Sequence, residues 1–159
     1  MLTQVSFMSL QRVQAMAASP HVVVISVTDS AADAVRPALN GYRDALRLEF
    51  VDMAEEHVNA PIGSWPREPT PQEHEALSGL RGERLPAFSD AVAIRRFLDG
   101  HHGAAEPLEV VIHCFAGASR SAAIAGWAAE HYSVPLVDAA GRGTDEANER
   151  LSRLLRETS

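Results

Sequence analysis

His113-Cys114-Phe115-Ala116-Gly117-Ala118-Ser119-Arg120-Ser121 is the stretch from which the fold of this chain is read. Ahead of it, Val110, Val111 and Ile112 form a short β-branched run behind a Glu106-Pro107 breaker, which suits a buried strand. Behind it, Ser121 to Tyr132 is rich in alanine and reads as a helix. The stretch therefore joins a strand end to a helix start, where backbone N–H groups lack intrahelical partners and the helix dipole favours negative charge. A junction of this kind cradles an anion such as phosphate.

The side chains in the stretch suit that cradle. The field that attracts an anion also stabilises a thiolate, so the pKa of Cys114 can fall from about 8.5 to roughly 3.5–7.5 and make it a nucleophile at neutral pH. Arg120 offers a planar fork of donors that matches two phosphoryl oxygens and the charge that builds as phosphorus is attacked. Gly117 permits the tight turn on which successive N–H groups converge. Ser121 offers a hydrogen bond to the sulfur, making it a better leaving group, and His113 orients the loop from behind.

The pattern His-Cys-x-x-Gly-x-x-Arg-Ser, carried here by His113, Cys114, Gly117, Arg120 and Ser121, resembles the signature of the cysteine-dependent protein tyrosine phosphatases, including their compact dual-specificity branch. Phe88 to Leu98 resembles the helix that precedes the strand in that family, and the similarity covers roughly the second half of the chain. The resemblance implies a two-step hydrolysis through a phosphocysteine on Cys114. It makes Arg120 and the backbone N–H groups of Phe115, Ala116, Gly117, Ala118 and Ser119 the phosphate ligands, Ser121 the hydroxyl partner and His113 a support. The alternative for Cys114 is a small buried hydrophobe.

The resemblance also implies a general acid, an aspartate on a mobile loop that protonates the leaving group. Asp52 matches by context, because it ends the strand-like run Leu46 to Val51, although it stands 62 residues before Cys114, farther than is usual in the family. An insertion accounts for the excess. Val58 to Leu85 contains Pro61, Pro66, Pro69 and Pro71 with Gly63, Gly79 and Gly82, and long loops of this kind are often lids or binding loops. Within it, Ser64-Trp65-Pro66-Arg67-Glu68 echoes the Trp-Pro-Asp loop of the larger tyrosine phosphatases, but an arginine occupies the acid position. Glu68, Glu55 and Glu56 are alternative acids, and Asp90 falls inside a predicted helix. Asp29 ends another strand-like run, where a turn role is the stronger reading. Trp65 is either a lid aromatic or a staple that ties the insertion to the core.

The alternating elements predict an α/β fold with a mainly parallel central sheet flanked by helices, and the resemblance implies that it is of the protein tyrosine phosphatase-like (phosphotyrosine protein phosphatase II) type. Strands are expected at Val5–Met8, Val22–Val27, Leu46–Val51 and Leu108–His113. Helices are expected at Leu10–Ala17 behind a Ser9 cap, Phe88–Leu98, Ser121–Tyr132 and Asp145–Glu157. The 159 residues, 46% of them hydrophobic, suit one catalytic domain over residues 1–159.

Composition narrows the function. A net charge of −7 without a basic run argues against nucleic acid. All 14 basic residues are arginine, as in a GC-rich and bacterial genome. No segment approaches membrane-spanning length, the N-terminus lacks a leader pattern and the single cysteine excludes an internal disulfide, which together point to the cytoplasm. The seven histidines have no helical His-x3-His pair, so neither a metal nor another cofactor is expected. Because the loop interior adds no basic side chain beyond Arg120, the expected substrate is protein phosphotyrosine or a small aryl phosphate, with phosphoserine and phosphothreonine open. The rival classes are a non-catalytic phosphate-binding module and a sulfurtransferase or arsenate reductase-like enzyme. Oligomeric state is left open.

Overall fold

Five parallel strands form one sheet in the order β3-β2-β4-β1-β5 in the computed structural model, which describes residues 1–30 and 35–158. The strands are β1 (Leu2–Ser9), β2 (Val22–Thr28), β3 (Asp44–Glu49), β4 (Leu108–Cys114) and β5 (Leu136–Asp138). The helices are α1 (Leu10–Ala15), α2 (Pro71–Ser78), α3 (Phe88–His102), α4 (Arg120–Tyr132) and α5 (Glu149–Arg156), with a 3₁₀ turn at Glu55–Val58. No helix among the described residues is long and apolar enough to cross a membrane.

The two-residue period of a strand divides the apolar residues between the faces. Val23, Ile25 and Val27 of β2, with Val110 and Ile112 of β4, pack under α3, α4 and α5 through Ile94, Leu98, Ile124, Leu151 and Leu155. The alternate residues Val22, Val24 and Val111 pack with Leu10 and Val13 of α1 on the other face. Both faces are covered, which explains why β2 and β4 read as continuous apolar runs rather than alternating ones.

Several boundaries differ from the expected ones for local reasons. The third strand starts at Asp44 and ends at Glu49 instead of spanning Leu46–Val51, because Val51 N–H leaves the sheet and donates to Arg84 O at 2.8 Å. The last helix starts at Glu149, since the Asn148 side chain accepts from Leu151 N–H and caps it there. Helix α1 stops at Ala15, and Ser9 caps it by accepting from Arg12 N–H. The short strand β5 has no sequence counterpart among the expectations; it exists through its pairing with β1.

The segment 58–85 carries helix α2, with a Thr70–Glu73 capping box, Pro71 in the first turn and Gly79 at the C-cap. Trp65 is buried with Val51 and Leu85, so of its two roles the staple is the observed one. His74 is also buried, and its Nδ1 accepts from Leu85 N–H at 2.9 Å.

Candidate active site

The C-terminal ends of β1, β2 and β4 meet at one edge of the sheet, as parallel register requires. Strands β4 and β1 are neighbours whose connections leave for opposite faces, α4 over one and α1 over the other. Such a switch point opens a crevice beyond the strand ends. The loop from Phe115 to Ser119 lies in it.

Gly117 gives this loop its shape. It has φ +70°, and a Cβ there would lie 2.4 Å from Ser9 N and 2.5 Å from Met8 C, so the loop rests directly on the backbone end of β1. Leu10 N–H donates to Phe115 O at 3.1 Å and holds the loop from the same side. Phe115 and Ala116 point outward, Gly117 and Ala118 are buried, and Ser119 is half-buried. The first two residues therefore form the rim.

Cys114 is 2% exposed, at the end of β4, with Sγ 3.2 Å from Ser121 Oγ. Burial alone pushes its thiol up. The Ser121 hydroxyl and N–H, the Arg120 charge and the Gly117 N–H outweigh burial and leave the pKa below the ordinary thiol value. Helix α4 has no side-chain N-cap, because Ser119 Oγ instead donates to Asp52 Oδ1 at 2.7 Å. Its first-turn N–H groups thus have no side-chain cap, and that of Ser121 turns to the Cys114 sulfur.

Arg120 is 5% exposed. Its Nη1 donates to Asp29 Oδ1 and to Phe50 O, both at 2.8 Å, which fixes the guanidinium plane. Its Nε is buried and has no partner among the described residues. A buried unpartnered donor of this kind calls for an acceptor. Asp29 is thus an ion-pair partner rather than the turn residue its sequence context suggests.

His113 is completely buried, with Nδ1 3.3 Å from Cys114 O and Nε2 2.6 Å from Ser26 Oγ. The carbonyl only accepts, so Nδ1 carries the ring hydrogen and Nε2 accepts from the Ser26 hydroxyl. Burial, reinforced by the charges of Arg47 and Arg120, pushes its pKa down to about 4 against the opposing bond to Cys114 O, so the ring is neutral at pH 7. It supports the loop from behind.

Asp52 also accepts from Asn148 Nδ2 at 2.8 Å on the Oδ1 that Ser119 bonds, while its Oδ2 has no hydrogen-bond partner among the described residues. The alternative acids are committed elsewhere. Glu55 is buried between Arg150 at 2.9 Å and Arg153 at 2.6 Å, and hydrogen bonding to Arg153 pulls Glu56 down to about 2. Glu68 accepts from Ser89 N–H and Oγ, and Asp90 caps α3 through Ala87 N–H. Arg67, in the acid position of the Trp-Pro motif, pairs with Glu157 at 2.6 Å.

Asn148 was invisible as a site residue in the sequence. Its only local signal is its place before the apolar periodicity of α5, which marks a cap and nothing more. Among the described residues no group of three or more His, Cys, Asp or Glu side chains is arranged to hold a metal ion. The chain matches no family model, no curated protein and no solved structure.

Proposed function

We propose that the protein hydrolyses phosphate monoesters, with protein phosphotyrosine or an aryl phosphate as substrate, through a phosphocysteine on Cys114, as a compact dual-specificity-like member of the cysteine-dependent tyrosine phosphatases. The observation that carries the reading is the pairing of a lowered-pKa thiol with the unpartnered buried Nε of Arg120 at the two ends of one glycine-hinged loop.

In the first step the Cys114 thiolate attacks phosphorus; an S–P bond forms, the P–O bond to the leaving group breaks, and the departing oxygen takes a proton from Asp52. Both donors on Asp52 occupy Oδ1, so the proton to be transferred belongs on Oδ2. Arg120 and the loop N–H groups stabilise the oxygens through the trigonal-bipyramidal stage. In the second step water attacks phosphorus and gives a proton to Asp52. The S–P bond breaks, its electron pair returns to sulfur beside the Ser121 hydroxyl, and inorganic phosphate leaves.

Steady-state hydrolysis of para-nitrophenyl phosphate against pH tests the scheme. Cys114→Ser is expected to abolish turnover while phosphate still binds, and full activity in it would overturn the mechanism. Asp52→Asn is expected to lose the basic limb of the profile and about 10²- to 10⁴-fold in rate on poor leaving groups. Phosphate binding by the unaltered protein without turnover of any ester would favour the binding module instead.

A further inference from the structure

The crevice at the β4/β1 switch point extends beyond the phosphate loop into a groove of about 640 Å³. One wall comes from α1 through Gln11, Arg12 and Gln14; the other comes from Ala140 and Arg142, which follow β5. Its floor is Phe115 to Gly117, the same residues that form the near side of the phosphate loop. The groove thus lies beside the phosphate loop, across its exposed Phe115–Ala116 rim from Cys114 and Arg120, within reach of residues that flank a phosphoryl group on the loop.

The groove is cationic in a chain of net charge −7. Neither Arg12 nor Arg142 makes an ion pair among the described residues, and no carboxylate lines the groove. Both guanidiniums rest on backbone carbonyls: Arg12 Nη1 donates to Ala139 O at 2.7 Å, and Arg142 Nη1 lies 3.5 Å from Ala116 O. Asp138, the acid that precedes that wall in the chain, directs its oxygens into the turn, where they accept from Ala140 N–H and Gly143 N–H, and forms no ion pair with either arginine. Two arginines that line one groove, with remaining donors and no anion, match carboxylates in bidentate fashion. Gln11 and Gln14 supply amide groups for a peptide backbone between them.

We infer that this groove is a substrate subsite that recognises carboxylate side chains flanking the phosphorylated residue, making acidic phosphopeptides the substrate class. The inference rests on the phosphatase reading and adds to it what selects the substrate.

The test compares kcat/KM for two phosphotyrosine peptides that differ only in flanking glutamate or glutamine, with para-nitrophenyl phosphate in parallel. The unaltered protein is expected to prefer the glutamate peptide about three- to tenfold, the yield of two solvent-screened ion pairs, and to lose the preference at about 1 M salt. Arg12→Gln/Arg142→Gln is expected to abolish the preference through KM. Arg142→Gln alone, which removes only a long contact, is expected to lose part of it. A preference that survives the double variant, or none in the unaltered protein while para-nitrophenyl phosphate turns over, overturns the groove assignment alone. No turnover of any ester overturns the phosphatase reading and the assignment with it.

Discussion

Gly117→Ala is expected to damage both stability and anion binding, with Gly141→Ala as its control. Both glycines are left-handed, at φ 70° and 67°. Placing an L side chain there costs about 1–2 kcal/mol from Cβ against the following carbonyl. At Gly141 no atom of the described residues lies within 4 Å of the added Cβ, so the cost ends there. At Gly117 the Cβ meets Ser9 N at 2.4 Å, Met8 C at 2.5 Å and Met8 O at 2.9 Å. These are backbone atoms of a strand registered on β4, Met8 against His113 and Ser9 against Cys114, so no rotamer change relieves the overlap. Either the strand end or the loop must move, adding about 1–3 kcal/mol. The total is about 2–5 kcal/mol at Gly117 against about 1–2 at Gly141. For a chain of this length each 1 kcal/mol lowers Tm by about 2–4 °C. Thermal unfolding with and without phosphate reads both effects: Gly117→Ala should lose more Tm and most of its stabilisation by phosphate, and a loop displaced by about 1 Å should turn over roughly 10²-fold more slowly. Equal Tm losses in the two variants, with phosphate stabilisation intact in Gly117→Ala, would refute the packing argument.

Two further outcomes concern stability. The pKa of His113 is pushed down to about 4 from 6.5, so between those values the unfolded chain binds a proton that the folded chain refuses. Its contribution is whole above pH 6.5 and is lost as pH falls toward 4, by about 3 kcal/mol in all. Urea unfolding across that range should show a shallower loss in His113→Gln than in the unaltered protein; an identical slope would remove His113 as the cause. Buried His74, whose pKa is also lowered by burial, contributes in the same direction in both. Glu55→Gln leaves buried Arg150 without its carboxylate and should cost about 3–5 kcal/mol in urea unfolding, whereas a loss under about 1 kcal/mol would mean that water or Glu56 replaces it.

What the sequence by itself determined follows from short-range physics. Apolar runs of strand length, the Ser9 cap and the arginine six residues after Cys114 depend on neighbours along the chain, and they suffice for an α/β fold with a cysteine- and arginine-bearing loop at a strand end. Parallel strand order, the pairing that creates β5, the ion pair of Asp29 with Arg120 across 91 residues and the bond of Asn148 to Asp52 across 96 were decided only in the tertiary structure. An aspartate after a strand has the same local pattern whether it closes a turn or clamps a guanidinium. The difference lies in which strand ends the sheet brings together, and that is set by the packing of its two faces. The insertion was legible as proline-rich and long, but the staple role of Trp65 depends on its packing with Val51 and Leu85, and the burial of Glu55 depends on α5 bringing Arg150 and Arg153 to it.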